Sequence, residues 1–446
     1  MLRSRLLSQS GVVFGARLFG AGLIFLAQAA IARTWGADIL GEYLLIVAAA
    51  NLIGVVLPLG FETIGTYFAA EYRARGQGHL LRGFARRAFV HIGLTGVVVF
   101  VAGLLILDRL GPLGEMFARH WTPTMIMAVA AAMVYVNSAL LVGLRHPLAG
   151  FFADGLFRPM LVVLALGIAT LSAAPDAFGT MIWILAIGFA AIAAAQLAYM
   201  AIRLRSVPGS TETVPAPEAR RWWRFAVPWV LIAIASDYFF DLDLLMLAGL
   251  LPREDLAIFG VTTRIFALVA FGVAAVYAVI LPDVFEAEAK ADRAEFHRRI
   301  GEANLIATGL AASLFVAVAA LGPVLLMLFG PAFAAGAAPL AVLCLALVVR
   351  AAFGPAAVVL SIHDRPYATL PAIGLGLAAL VAGNLLLVPG LGIMGAALAA
   401  LVAITLWSAA LWATARWVAG IDVSIVARLR GQPSTPTLPE VSRPSA

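Results

Sequence analysis

Residues 225–285 read FAVPWVLIAIASDYFFDLDLLMLAGLLPREDLAIFGVTTRIFALVAFGVAAVYAVILPDVF. Two apolar segments, each long enough to cross a bilayer, flank the short polar corner PRED at 252–255. The stretch places four ionisable side chains in this apolar setting: Asp237, Asp241, Asp243 and Arg264. An ionisable side chain at membrane depth costs a few kcal/mol even on lenient insertion scales. These four residues are therefore candidates for a functional site.

The rest of the chain has the same apolar character. Of its 446 residues, 63% are hydrophobic and 12% are charged, whereas a soluble domain has about 25% charged residues. Apolar runs of about 20 residues recur, the length that spans a bilayer core. Because these lengths fit helices better than tilted strands, we expect an all-α polytopic membrane protein. The single cysteine, Cys344, excludes internal disulfides and cysteine-based metal sites, and we expect neither a metal nor a cofactor.

Twelve spans are predicted, six on each side of a polar linker. The first six cover approximately 11–32, 40–60, 88–107, 122–143, 156–174 and 178–202. The second six cover approximately 225–250, 256–282, 301–321, 336–360, 367–388 and 392–415.

The polar segment 203–224 is rich in Pro, Ser, Thr and Glu, which predicts a flexible cytoplasmic linker. It separates an N-terminal six-helix lobe, 1–202, from a C-terminal six-helix lobe, 225–418. Residues 419–446 form the predicted cytoplasmic tail, and from Gly431 onward their composition is typical of disorder.

The positions of the basic residues predict the orientation. With a cytoplasmic N-terminus, the cytoplasmic segments carry 22 Lys and Arg residues and the opposite side carries four, Arg33, Arg109, Arg119 and Arg253. By the positive-inside rule, both termini are expected to be cytoplasmic. Because these charges lie in loops between spans, they do not indicate a nucleic-acid partner.

Weak similarity relates the two halves. Leu40-Gly41-Glu42-Tyr43 and Leu256-Ala257-Ile258-Phe259 each follow a short outer corner and open a span. Both repeats begin on the same side of the membrane, so they are parallel. Transporters built in this way bind substrate between the halves near the bilayer midplane.

Several short motifs, in order along the chain, carry a resemblance to a known family. They are ARTWGADILGEY at 32–43, LPLGFE at 57–62, LFGPAF at 328–333 and NLLLVPGLGIMGAALA at 384–399, together with Asp243, Ala248, Ala257, Phe259 and Arg264. In these motifs the sequence resembles the polysaccharide (O-antigen type) flippases of the MOP superfamily. Pro252, Ala257 and Phe259 depart from the Gly, Gly and Tyr that the family usually has in its second corner.

The resemblance implies two six-helix lobes in a MATE-like V that opens alternately to each side of the bacterial inner membrane. It implies an oligosaccharide cargo carried on a polyprenyl diphosphate, for lipopolysaccharide O-antigen, capsule or exopolysaccharide biosynthesis. The implied partners are this lipid-linked oligosaccharide, membrane lipids and a polysaccharide polymerase or chain-length regulator.

Binding a diphosphate in a cavity of low dielectric constant requires fixed positive charge, and the planar fork of arginine suits phosphate oxygens. Four arginines lie within or at the edges of predicted spans: Arg17, Arg158, Arg264 and Arg350. Arg17 and Arg264, from different lobes, form the preferred diphosphate site. For Arg158 a local i,i+4 pair with Asp154 is favoured, and Arg17 has the alternative of snorkelling to the headgroups.

The acidic residues Asp237, Asp241 and Asp243 have two open interpretations. Asp237 and Asp241 are four residues apart and would share one face of a continuous helix. These acids either couple transport to H⁺ or Na⁺, or form interhelical ion pairs with Arg264 or another buried arginine. Glu62 is assigned to the solvated cytoplasmic mouth, and Asn51 to interhelical hydrogen bonding.

Two alternatives to the flippase remain. One is a cation-coupled multidrug or small-molecule exporter of the same superfamily, which needs an acid-lined cavity but no arginines. The other is a non-transporting membrane component or an enzyme of polysaccharide assembly. The outer loops near 108–121 and 322–335 are too short to build a catalytic domain, and the only lysine, Lys290, is not in a nucleotide-binding loop. A transporter, not an enzyme, is therefore predicted.

Overall fold

The computed structural model describes residues 2–109, 111–172, 174–209, 213–289, 293–363, 365–418 and 420–429. Within these ranges all regular structure is helical. The chain divides into two compact units, Met1–Gly260 and Val261–Ala446. The first unit includes residues 225–260, which the sequence assigns to the C-terminal lobe.

The helices of the first unit are α1 (Leu2–Trp35), α2 (Ala37–Val56), α3 (Phe61–Ala74), α4 (Gly78–Ile106), α5 (Gly111–Gly143), α6 (Pro147–Phe152), α7 (Arg158–Leu171), α8 (Ala177–Arg205), α9 (Ala216–Asp237) and α10 (Phe239–Leu247). A π-helical segment, Ala153–Phe157, joins α6 to α7. Helix α11 (Arg253–Ala289) begins in the first unit and continues into the second.

The other helices of the second unit are α12 (Arg293–Met327), α13 (Ala337–Phe353), α14 (Ala356–Ile362), α15 (Leu370–Val418) and α16 (Ile425–Leu429). Asn304 on α12 donates a hydrogen bond of 2.8 Å to the carbonyl oxygen of Val423, which is buried. Asp422 accepts a 2.8 Å hydrogen bond from the indole of Trp412. The first part of the tail is therefore packed against its own unit, and the disorder expected from Gly431 lies outside the described residues.

Ten stretches of the described chain are long and apolar enough to cross a membrane. This confirms a multi-pass membrane protein. One of the ten, Pro366–Val418, contains both of the last two predicted spans. They meet near Gly392, where φ of 54° and ψ of −135° interrupt the helix. The predicted span at 225–250 is divided at Tyr238 between α9 and α10.

The corner between α2 and α3 depends on backbone that glycine adopts easily. Leu59 and Gly60 have φ of 54° and 86°, and a Cβ on Gly60 would lie 2.2 Å from the carbonyl oxygen of Ala226. Only glycine allows α9 to approach this closely. The corner fixes the start of α3 and therefore the position of Glu62.

Helix α3 lies between the predicted spans 40–60 and 88–107, where the sequence predicts a cytoplasmic loop. Phe61, Ile64, Phe68 and Tyr72 are buried, and their spacing of three or four residues is typical of a helix with one apolar face. The α3 helix was therefore missed although its period is readable in the sequence.

Helix α9 covers the apolar face of α3. Trp222 is fully buried and donates a 2.6 Å hydrogen bond to the Tyr72 hydroxyl, and Arg221 lies 2.9 Å from the Glu71 carboxylate. Residues 216–224, the end of the predicted flexible linker, are thus helical and packed, which corrects that prediction. The linker residues 210–212 lie outside the described residues.

Candidate functional site

A cavity of about 520 Å³ lies within the first unit. Helices α1, α5 and α9, the corner between α2 and α3, and the π-helical segment all contribute to its wall. Its ionisable wall residues are Arg17, Glu62, Tyr135, Asp154, Asp237 and Tyr238. Two of the residues predicted for the site, Arg17 and Asp237, therefore line one cavity.

Arg17 reaches the wall because α1 packs closely against the π-helical segment. A Cβ on Gly20 would lie 2.1 Å from the carbonyl oxygen of Gly155, so only glycine fits there. The guanidinium carbon of Arg17 lies 4.5 Å from the centre of the Phe151 ring, within the range of a cation–π contact. Among the described residues, its guanidinium has no ion-pair partner.

The π-helical segment carries Asp154 and leads into Arg158. Such segments interrupt the regular α-helical hydrogen bonding and occur frequently at functional sites. Nη1 of Arg158 lies 3.1 Å from Oδ1 of Asp154, which confirms the predicted local pair. The Arg158 guanidinium also lies over the Phe189 ring, 4.8 Å from its centre.

A chain of hydrogen bonds extends from Arg158 to side chains on α2 and α10. Nη2 of Arg158 donates to Oδ1 of Asn51 at 2.7 Å, and Nδ2 of Asn51 donates to Oδ2 of Asp241 at 3.1 Å. These contacts join α7, α2 and α10 through side chains that are largely buried. The prediction that Asn51 forms interhelical hydrogen bonds is confirmed.

Asp237 and Asp241 do not share one helix face, contrary to expectation. Helix α9 ends at Asp237 and α10 begins at Phe239, with Tyr238 between them at φ −119° and ψ 16°. The expected face requires a continuous helix, and the break at Tyr238 removes it. Asp237 is exposed at the cavity wall, whereas Asp241 is 6% exposed within the network around Asn51.

Glu62 lines the cavity wall, whereas the sequence predicts that it lies at the solvated cytoplasmic mouth. Thr63 Oγ1 donates to its Oε1 at 3.1 Å, and its Oε2 is buried with no hydrogen-bond partner in the described part of the chain. Burial raises the pKa of Glu62 to about 7, although hydrogen bonds from its own backbone and from Thr63 oppose the shift. Its position just after the LPLG corner at 57–60 was the available signal in the sequence.

Comparison with known proteins identifies the fold. No family model and no curated protein sequence matches the chain. An inward-facing multidrug resistance MATE family transporter of the MOP superfamily matches with a TM-score of 0.75 and 14% identity, over 93% of this chain and 96% of that one. The lipid II flippase MurJ, in an inward closed conformation, matches with a TM-score of 0.73 and 10% identity, over 92% and 87% of the two chains.

A MATE structure in a bent conformation matches less well, with a TM-score of 0.61 and 15% identity over 91% of this chain and 93% of that one. The chain shares its fold with MATE family transporters and with the lipid II flippase MurJ. This confirms the predicted fold class. At such low identities the likeness concerns the fold, so the cargo has to be argued from the site.

The remaining predicted site residues are distributed between the two units. Asp243 lies on α10 in the first unit and is fully buried. Arg264 on α11 is half-buried, and Arg350 at the end of α13 lies 5.8 Å from the centre of the Trp407 ring. Both belong to the second unit, and a joint site of Arg17 and Arg264 stays a prediction.

The charges of the cavity wall permit two kinds of ligand. One arginine and three carboxyl groups line it, and Asp154 is already paired with Arg158. With Glu62 and Asp237 ionised, the wall favours a cation. With Glu62 protonated, the repulsion of an anion near Arg17 is weaker.

Proposed function

We propose that the chain transports a polyprenyl-diphosphate-linked oligosaccharide from the cytoplasmic to the outer leaflet of the bacterial inner membrane, for polysaccharide biosynthesis. The observation that carries this proposal is Arg17 in the wall of a cavity, in a fold that the chain shares with a lipid II flippase. Arginine stays charged in a cavity of low dielectric constant and binds phosphate oxygens in pairs. The family motifs at 32–43 and 384–399 support the same cargo.

Transport would proceed by alternating access without covalent chemistry. Arg17 would hold the diphosphate in the first unit, with Arg264 and Arg350 as candidate phosphate contacts in the second. Asp237, Asp241 and Asp243 remain candidates for ion coupling or interhelical pairing. We also propose that both termini are cytoplasmic and that a polysaccharide polymerase or a chain-length regulator is a partner.

A second candidate function is a cation-coupled exporter of drugs or other small molecules. The three carboxyl groups of the cavity, Glu62, Asp154 and Asp237, support it, because ionised carboxylates attract a cationic cargo. Two of the structural neighbours are multidrug resistance MATE family transporters.

The leaflet distribution of lipid-linked glycan in a deletion strain distinguishes the two functions. The flippase predicts that this lipid accumulates on the cytoplasmic leaflet of the strain. Wild type and Arg119→Ala should restore surface polysaccharide, whereas Arg17→Ala and Arg264→Ala should not. Arg119 is the matched control because it is an exposed arginine outside the cavity wall.

Normal surface polysaccharide in the deletion strain, with increased sensitivity to cationic drugs, would refute the flippase in favour of the exporter. Accumulation that Arg17→Ala corrects as well as wild type would keep the flippase and remove Arg17 from its site.

A further inference from the structure

Glu62 occupies a rigid position in the cavity wall. It is the second residue of α3 and follows the strained corner at Leu59 and Gly60. Gly60 is in close contact with the backbone of Ala226 on α9, so the corner cannot swing the carboxyl group away without displacing α9. Its Oε2 is buried and has no hydrogen-bond partner in the ranges that the structure describes.

The other ionisable groups of the cavity wall come from four elements. Arg17 comes from α1, Tyr135 from α5, Asp154 from the π-helical segment, and Asp237 and Tyr238 from the end of α9. Phe61 precedes Glu62 in the sequence, and the centre of its ring lies 4.8 Å from the centre of the His91 ring on α4. Asp154 has Arg158 as its ion-pair partner, and Asp237 is exposed. Glu62 differs from both because it combines a buried oxygen with a place in the wall.

We infer that Glu62 is a proton-binding site of the cavity, and that its carboxyl group takes up a proton when an anionic phosphate headgroup enters and releases it when the headgroup leaves. The inference rests on the proposed function for the negative charge of the cargo. For a cationic cargo the same residue would act with the opposite sign, because an entering cation would expel the proton.

The proton balance follows from linkage between the two binding events. An anion beside an ionised carboxylate is repelled, so the anion binds the protonated form more tightly and in turn favours protonation. Because the pKa of Glu62 is about 7, both forms are populated near neutral pH. If only the protonated form binds the anion, the fall in the population of that form lowers the apparent affinity for the anion by about tenfold from pH 6 to pH 8.

The experiment measures binding of farnesyl diphosphate, as a soluble prenyl diphosphate, to the purified full chain by calorimetry at pH 6 and pH 8. The phosphate groups of the probe titrate too, and Glu62→Gln serves as the reference because it meets the same probe without the carboxyl group. Wild type should lose about tenfold more affinity than Glu62→Gln over this range. Glu254→Gln, at an exposed carboxyl group outside the wall, should behave as wild type.

Equal pH dependence in wild type and Glu62→Gln would overturn the inference. The same comparison with tetraphenylphosphonium separates the inference from the proposed function. Binding of this cation that strengthens with pH in wild type but not in Glu62→Gln, together with no binding of farnesyl diphosphate at either pH, would support the proton site and overturn the flippase.

A third measurement does not depend on any probe or on the folding of Glu62→Gln. Thr63→Val removes a hydrogen bond that stabilises the ionised carboxylate, so it should raise the midpoint at which a protonated-carboxyl infrared band disappears. The wild-type band should disappear near pH 7. A chain without a carboxyl band that titrates near this pH, or a midpoint unaffected by Thr63→Val, would refute the proton site.

Discussion

Nε2 of His120 lies 3.2 Å from Oε1 of Glu42, and the two side chains are 5% and 4% exposed. The other carboxylate oxygen of Glu42 lies 3.3 Å from Nη1 of Arg253, which also lies 3.5 Å from Asp38. The cluster joins α2, α5 and the start of α11. It therefore holds the start of α2, where the first-half motif LGEY at 40–43 lies, against the start of α11, where the second-half motif LAIF at 256–259 lies.

Replacing Glu42 should destabilise the first unit. Glu42→Ala removes a buried carboxylate and leaves His120 and Arg253 without it, at an expected cost of roughly 1–3 kcal/mol. Thermal unfolding of the purified protein measures this loss. Glu254→Gln, beside Arg253 but exposed, is the control and should leave the melting temperature unchanged. An unchanged melting temperature for Glu42→Ala would show that the cluster contributes nothing to stability.

The contact of α1 with the π-helical segment should be sensitive to a single methyl group. A Cβ at Gly20 would lie 2.1 Å from a backbone oxygen of Gly155, which cannot rotate away. Gly20→Ala should thus displace α1, move Arg17 and reduce transport, with a loss of roughly 1–3 kcal/mol in stability.

The matched control for this prediction is Gly22→Ala on the same helix. A Cβ there meets no other atom within 4 Å, and alanine favours a helix over glycine by up to about 1 kcal/mol. Transport and thermal unfolding are measured for both variants. Equal behaviour of the two would contradict the close approach of α1 to Gly155.

Asn51 should matter for stability because it links Arg158 to Asp241. Asn51→Ala removes two hydrogen bonds to buried charged groups, and we expect a loss of roughly 1–3 kcal/mol. A double-mutant cycle with Asp241→Asn should give a coupling energy of about 0.5–3 kcal/mol. The same cycle with Asp237→Asn is the comparison, because Asp237 lies on the far side of the Tyr238 break, and there the coupling should be close to zero.

The raised pKa of Glu62 predicts a dependence of stability on pH. The pKa is 4.5 for a free carboxyl group and about 7 in the folded protein. Between these values the folded protein holds a proton that the unfolded chain has lost, so the contribution of Glu62 to stability falls as pH rises. The full shift corresponds to roughly 3 kcal/mol.

Glu62→Gln should therefore be more stable than wild type at pH 8 and similar to it at pH 4.5. Thermal unfolding of both proteins across this range gives the difference in their stability. The contribution of the other titrating groups is the same in both proteins and drops out of this difference. A difference that does not change with pH would show that the carboxyl group is not shifted in the folded protein.

The sequence was sufficient for features that depend on local composition. The spans follow from apolar length, and the Arg158–Asp154 pair follows from a spacing of four residues. The break at Tyr238 and the burial of the Glu62 carboxyl oxygen were not readable. Glu62 is buried because α9 touches Gly60 across 166 residues of sequence, and hydropathy contains no information on such a contact. The period of α3 was present in the sequence, but its charged residues suggested a loop.

The packing of α9 on α3 has a consequence for synthesis of the chain. The apolar face of α3 is covered by Trp222, which is translated 150 residues after its partner Tyr72. While the linker is being translated, this face of the nascent chain is therefore uncovered. A gene split between the two sequence halves would divide one folding unit, so separately expressed halves should need each other from the start of folding.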